Sequence, residues 1–535
     1  MRKIYDYIVV GGGSAGCLLA NRLSAGSARV LLLEAGGTGR GNIWLKIPIG
    51  YLQTMGNPAT DWCFVLKENP HLNGRRLPYP RGRVLGGSSA INGMIYIRGQ
   101  ARDYDLWAQA GCEGWEWNSV LPYFLRHENN AILGGALHNQ SGEVCVQPVR
   151  SNWRILDAFA EAAETCGIPR VEDFNGGDNL GVSYYQVNQK NGMRQTSADA
   201  FLWPIRQRPN LTVETGARGR RLLLENGNVV GVEYQTLDGV QTVHTDGEVI
   251  LSAGSIGSPQ ILQCSGIGSP ELLSEVGVET VHALPGVGEN LQDHLQIRIA
   301  FSVNGVRTLN EMSYNPLWKV GMGLQYVFCR RGPLASAPSQ LGCFAYSDDS
   351  MPAPDLQYHL QPLSLDNFGD PLHRHPGFTA SVCDLRPHSR GYVRIASADP
   401  LATPVIDAQH LSHPQDRLTA ARAIRHSRHL CAAAPLSKFV SKEIAPGTGM
   451  QSDEELALAA GEHSTTIFHP TGTCKMGRED DDTAVVDSRL RVRGLSGLRV
   501  ADASIMPDII SGNTNAPTLM IAEKAAALIL EDAVN

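Results

Sequence analysis

No stretch of this 535-residue chain approaches the run of about 20 apolar residues that a membrane-spanning helix needs. Its first apolar run, Tyr7 to Val10, is cut off by glycines and is too short for a secretory signal, so a soluble, cytoplasmic protein is expected. Long blocks of one charge sign are also missing. The 46 Lys and Arg against 53 Asp and Glu give a net charge of −7 without a basic stripe, which argues against a nucleic-acid binder. None of the 11 cysteines forms a C-x-x-C pair, and their odd number fits scattered reduced thiols better than a disulfide framework or a zinc site. Internal repeats and low-complexity linkers are absent as well. What is present is 42% apolar and 19% charged, ordinary for a globular enzyme with a buried core, and long enough for several domains at about 150 residues each.

The first positive signal is "YDYIVVGGGSAGCLLANRLS", a short apolar strand, a glycine turn and a helix. Gly11, Gly13 and Gly16 supply G-x-G-x-x-G: one glycine for the tight turn, one for close approach to a pyrophosphate, one for helix–strand packing. The helix N-terminus offers unpaired N–H groups and a partial positive charge to phosphates. "ARVLLLEAGG" then reads as a second buried strand ending in Glu34, a carboxylate placed to accept hydrogen bonds from a ribose. A reductase fed by a nicotinamide would need a second such turn, but "GIGSPE", "GVGENL" and "GMGLQY" each lack the third glycine. One site favours a resident cofactor, FAD, over a nicotinamide shuttle.

Further along, "RLLLENGNVVGVEY" predicts a hairpin around Asn226-Gly227. "GEVILSAGSIGSPQIL" predicts a buried strand from Val249 to Ser252, parallel to the first, then a helix with Pro259 in its first turn. From about residue 300 "APDLQYHLQP" and Tyr392 to Ala396 alternate apolar and polar residues, the pattern of an antiparallel sheet with one covered face. "GLRVADASIMP" returns to a short buried strand ending in an acid, so both ends of the chain are expected to close the nucleotide-binding unit.

Longer motifs carry a resemblance. "PRGRVLGGSSAINGMIYIRGQARDYD" and "GSIGSPQILQCSGIG", with "FHPTGTCKMG" and "SGNTNAPTLMIAEKAA", are similar to signatures of the glucose–methanol–choline (GMC) oxidoreductases, in that family's order and over most of the chain. The bacterial members near choline dehydrogenase and the hydroxymethylfurfural and polyethylene-glycol oxidisers look most alike. The resemblance implies a mixed α/β fold: a discontinuous Rossmann-like FAD-binding domain (1–155, 195–300 and 463–535) and a substrate-binding domain (156–194 and 301–462) with a mainly antiparallel sheet flanked by helices. It implies oxidation of an alcohol to a carbonyl by hydride transfer to flavin N5. The electrons would pass on to O2, or to a quinone or electron-transfer protein, the latter at the inner membrane face.

Carried over by position, Gly11, Gly13, Ser14, Ala15, Gly16, Glu34 and Ala35 would hold pyrophosphate and adenosine ribose. Gly86, Asn92, Gly93, Met94 and Ile95 would pass along the isoalloxazine edge, Gly219 near adenine, and Asp502 and Ala503 at the pyrophosphate and ribityl chain. Some relatives attach FAD covalently through a histidine where this chain has Ile91, so non-covalent FAD is expected.

The same alignment makes His469 the catalytic histidine and Asn513 its partner. Imidazole suits removal of a hydroxyl proton because its ordinary pKa lies near neutrality, and a neutral amide can steady the developing alkoxide. Pro470 restricts the backbone at His469, and Pro517 belongs in the first turn of the last helix. Asn515 reads as a cap or cofactor contact and His463 as a loop residue. His373 and His375 form an H-x-H without an evident third ligand, so no metal is expected. Gln357, His359 and Gln361 share one strand face, which either lines the pocket or is the wet side of a sheet. Two other functions remain at this point: a lyase of the same fold that cleaves cyanohydrins, and a flavin-binding protein without catalysis.

Overall fold

The computed structural model describes residues 4–366 and 369–534. Its first sheet has Ile4–Val10 at the centre, flanked in parallel by Val30–Glu34 on one side and Gly239–Leu251 on the other. Leu211–Thr215 extends one edge and Leu498–Val500 pairs in parallel with Gly239–Leu251, so the two ends of the chain meet in one sheet. Ile8, Val9, Leu31 and Leu32 are almost fully buried, as parallel strands covered on both faces must be. Helix Ser14–Leu23 packs on this sheet, and the long terminal helix Asn515–Asp532 packs against that helix. The Asn226-Gly227 hairpin forms between Arg218–Glu225 and Asn228–Thr236, with both turn residues at positive φ.

A second, seven-stranded sheet is antiparallel throughout. Its order runs Val440–Ala445, Leu295–Val303, Gly377–Asp384, Leu356–Gln361, Leu341–Ala345 and Gly181–Tyr184, with Ser464–Thr466 also paired to Leu295–Val303.

Four local expectations are corrected. Leu356–Gln361 has both faces buried, so its alternation marks a polar interior face and not a wet one. Tyr392–Arg394 lies outside the main sheet; among the described residues it forms a two-stranded ladder with Val405–Asp407, and Gly391 before it bridges to Leu291. Pro259 falls in the second turn, since the helix already begins at Gly254. His463 is the last residue of helix Asp453–His463 and not part of a loop. His373 sits between Ser364 and Asp366 with its ring stacked on that of His375.

Candidate active site

The glycine turn ends the first strand and starts the first helix. Gly11 has φ +105°, and a Cβ there would lie 2.5 Å from the Ser252 carbonyl oxygen. Gly16 is packed closer still: its Cβ would stand 1.8 Å from the Gly11 carbonyl. The helix N-terminus at Gly13 has no side-chain cap and no acid in its first turn, so its free N–H groups face the cavity wall formed by Gly11, Gly13, Ser14 and Ala15. Glu34 reaches back, Oε2 accepting from Gly12 N (2.8 Å) and Oε1 from Gly36 N (2.6 Å). It fixes the turn and keeps lone pairs for a hydroxyl. Asp502 ties the adjoining loop down by accepting from Gly254 N and Ser258 Oγ.

One large cavity runs between the two sheets. Glu34, Ala35, Asn92, Gly93, Met94, Ile95, Gly219, Asp502, Ala503, Asn513, Asn515 and His469 all line it with the glycine turn. Gly16 and Gly86 lie one layer behind this wall. Gly86 N donates to Gly12 O (2.8 Å), and Gly87 abuts Gly13 so closely that a Cβ would be 2.7 Å away; Gly16 and Gly86 shape the turn rather than face the cavity. Asn515 starts the terminal helix without capping it, and its Oδ1 accepts from Ser14 Oγ (2.8 Å), joining the two helix starts. Pro517 is in that helix's first turn.

A dinucleotide fits this wall. Orphan helix N–H groups and glycines meet the phosphates, a carboxylate ends the second strand, and Gly93 and Met94 bring backbone to the surface, Met94 at φ +63°. Ile91, also on the wall, offers no nucleophile.

His469 is 8% exposed and lies three residues beyond the Ser464–Thr466 strand segment. Its backbone N–H donates to Asp293 Oδ1 (2.7 Å), while the Arg81 guanidinium donates to the preceding Phe468 carbonyl (2.9 Å). Gly472, at φ +87°, lets the chain turn away where a Cβ would be 2.5 Å from Asn290 O.

The ring has an ordered partner at each nitrogen. His294 Nε2 lies 3.2 Å from the Leu385 carbonyl, which can only accept, so that nitrogen carries the proton of a neutral ring. His294 Nδ1 is then an acceptor for His469 Nδ1–H, 3.0 Å away. This leaves His469 Nε2 unprotonated, an acceptor for Asn513 Nδ2–H, 3.3 Å away. Gln357 Nε2 donates to Asn513 Oδ1 (3.1 Å), which turns the amide so that its NH2 faces His469. His294 and Asp293 were not singled out from sequence, and Gln357 was read only as one of a polar strand face. Only the position of His294 beside an acid, just before an apolar strand, could have drawn attention to it.

Burial and the facing rings of His294 and His359, with Arg81, hold His469 well below the usual imidazole pKa. Burial lowers His294 to about 4 and His359 to about 3. All three are therefore neutral near pH 7. An unfolded chain, titrating near 6.5, binds more protons than the fold below that pH, so stability is full above about 6.5 and is lost as pH falls toward 4. At pH 5 His294 and His359 should each withdraw about 2 kcal/mol, seen as a falling Tm between pH 7 and 5. Replacing His294 with leucine removes the acceptor that selects the His469 tautomer, and kcat should fall about 10–100-fold with FAD content unchanged.

Two family models for GMC oxidoreductases match residues 5–296 and 387–522. The chain belongs to the GMC oxidoreductase family. It is 42% identical over 532 residues to an alcohol dehydrogenase [acceptor] of Pseudomonas putida, covering 98% of this chain and 96% of that one. Human mitochondrial choline dehydrogenase is 39% identical over 535 residues, covering 99% and 90%. Among solved structures of GMC-type oxidases, pyridoxine 4-oxidase from Mesorbium loti superposes with a TM-score of 0.88 at 31% identity over 98% of both chains. A fungal aryl-alcohol oxidase gives 0.87 at 26% over the whole of both. Among the described residues no helix of this GMC protein is long and apolar enough to cross a membrane.

Proposed function

We propose that this protein oxidises an alcohol to an aldehyde or ketone with non-covalently bound FAD. His469 takes the hydroxyl proton and Asn513 steadies the oxygen as negative charge develops on it. The observation that carries this reading is the lone pair of His469 Nε2, kept unprotonated by the His294 hydrogen bond at the other nitrogen and met by the Asn513 amide on the cavity wall. A neutral, desolvated imidazole accepts a proton readily, and an amide donates to an alkoxide without competing for that proton. FAD, when bound, supplies the acceptor for the hydride from the carbinol carbon.

The residues divide by sheet. Gly11, Gly13, Ser14, Ala15, Glu34, Ala35, Gly219, Asp502, Ala503 and Asn515 serve the cofactor, with Asn92 to Ile95 along its ring. Gln296, His359 and Gln361 on the second sheet face the substrate. Ile91 leaves no side chain for a covalent flavin link. Relatives that are dehydrogenases and oxidases support redox turnover over cyanohydrin cleavage. The acceptor is O2, or a quinone or electron-transfer protein.

Incubation of the FAD-loaded protein with primary alcohols in air, and without air plus a soluble quinone, tests the reading. Carbonyl product is expected in at least one of the two, in proportion to acceptor consumed. No carbonyl in either, or release of cyanide from a cyanohydrin, would contradict it.

A further inference from the structure

Helix Pro316–Cys329 is built as a proper helix and turned the wrong way for a core. Asn315 caps it by accepting from Leu317 N and Trp318 N, Pro316 opens it, and Arg330 at φ +53° ends it. Surface helices put their apolar stripe inward. Here only Met322 and Tyr326 face inward, with Tyr326 Oη donating to the Gly192 carbonyl. Leu317, Val320, Leu324, Val327 and Phe328 share the opposite face, and Leu317 and Phe328 are 83% and 79% exposed. At 100° per residue these five fall within one stripe about 100° wide.

The charged side chains of the helix and the segment that follows it are of one sign. The protein carries −7 overall, yet residues 312–347 contain no acidic side chain and include Lys319, Arg330 and Arg331. Two further cations lean on aromatic side chains at its start, Arg307 over Trp318 at 4.5 Å and, on the preceding short helix, Arg374 over Tyr314 at 5.2 Å. Trp318 and Tyr314 are themselves half-exposed, as rings at a headgroup boundary are.

We propose that this helix docks the protein onto an anionic lipid bilayer, lying in the interface with its apolar stripe among the acyl chains. A 14-residue helix is about 21 Å long, too short to span but suited to lie flat. A second copy docked on this face would set Lys319 and Arg331 against the same cations, whereas an anionic surface complements them. A bilayer needs no shape complementarity, only apolar depth and a cationic rim. The segment after the helix runs on to Pro338 and Ser339, which line the cavity.

Flotation of the FAD-loaded full chain with vesicles tests this. Wild type should rise with phosphatidylcholine–phosphatidylglycerol vesicles and far less with phosphatidylcholine alone. The exposed pair Val327→Asp/Phe328→Asp should lower the bound fraction at least about tenfold at unchanged Tm. Lys319→Glu/Arg331→Glu should erase the preference for phosphatidylglycerol. Wild type that stays down with both vesicle types, or binding that survives Val327→Asp/Phe328→Asp, overturns the proposal. So does a concentration-dependent dimer that the same pair abolishes, which would assign the face to a second copy.

Discussion

Gly16→Ala should give a protein that no longer retains FAD through gel filtration and that melts at a lower temperature. The added methyl would stand 1.8 Å from the Gly11 carbonyl and press on Val9 Cγ1 at 3.4 Å. Backbone cannot yield as a flexible side chain does, so helix Ser14–Leu23 must lift from the sheet. Its N-terminus then moves away from the phosphates that its N–H groups and dipole are placed to meet. Overpacking of this kind costs about 1–3 kcal/mol, and cofactor affinity is lost in addition. Gly37→Ala is the control: a Cβ there meets nothing within 4 Å, and stability should stay within about 0.5 kcal/mol. Flavin absorbance per mole of protein, with Tm, reads both.

His469→Gln should lower kcat/KM by about 10²–10⁴-fold while FAD stays bound. Glutamine fills much of the ring's volume and can hydrogen-bond His294, but its amide does not take a proton at neutral pH. The wall that meets the cofactor is untouched, so a loss of activity with full flavin content separates proton transfer from cofactor binding. Steady-state kinetics and a flavin spectrum on one preparation decide it.

What was legible in the chain was local. The glycine turn, the Asn226-Gly227 hairpin and the parallel strand ending at Leu251 each depend on contiguous residues whose backbone needs are written in glycine, apolar runs and turn chemistry. His469 and Asn513 stood out because their motifs are long. The groups that set the proton on His469 were not legible, because His294 lies 175 residues away and reaches it only through pairing of Leu295–Val303 with Ser464–Thr466. Gln357 was read as one of a polar row, but whether that row met water or the cavity depends on what covers the sheet. "GMGLQY" drew notice only as a failed glycine motif. The structure makes it part of a helix whose apolar side faces out, which periodicity alone cannot distinguish from one facing in.

The most direct test of the central claim is an anaerobic absorbance titration of the FAD-loaded protein with a panel of alcohols. The panel would include choline, aryl and aliphatic alcohols, polyols and glycol ethers. The account predicts that at least one class bleaches the flavin band, with one carbonyl formed per flavin. A flavin that binds fully and stays yellow with every alcohol would contradict it.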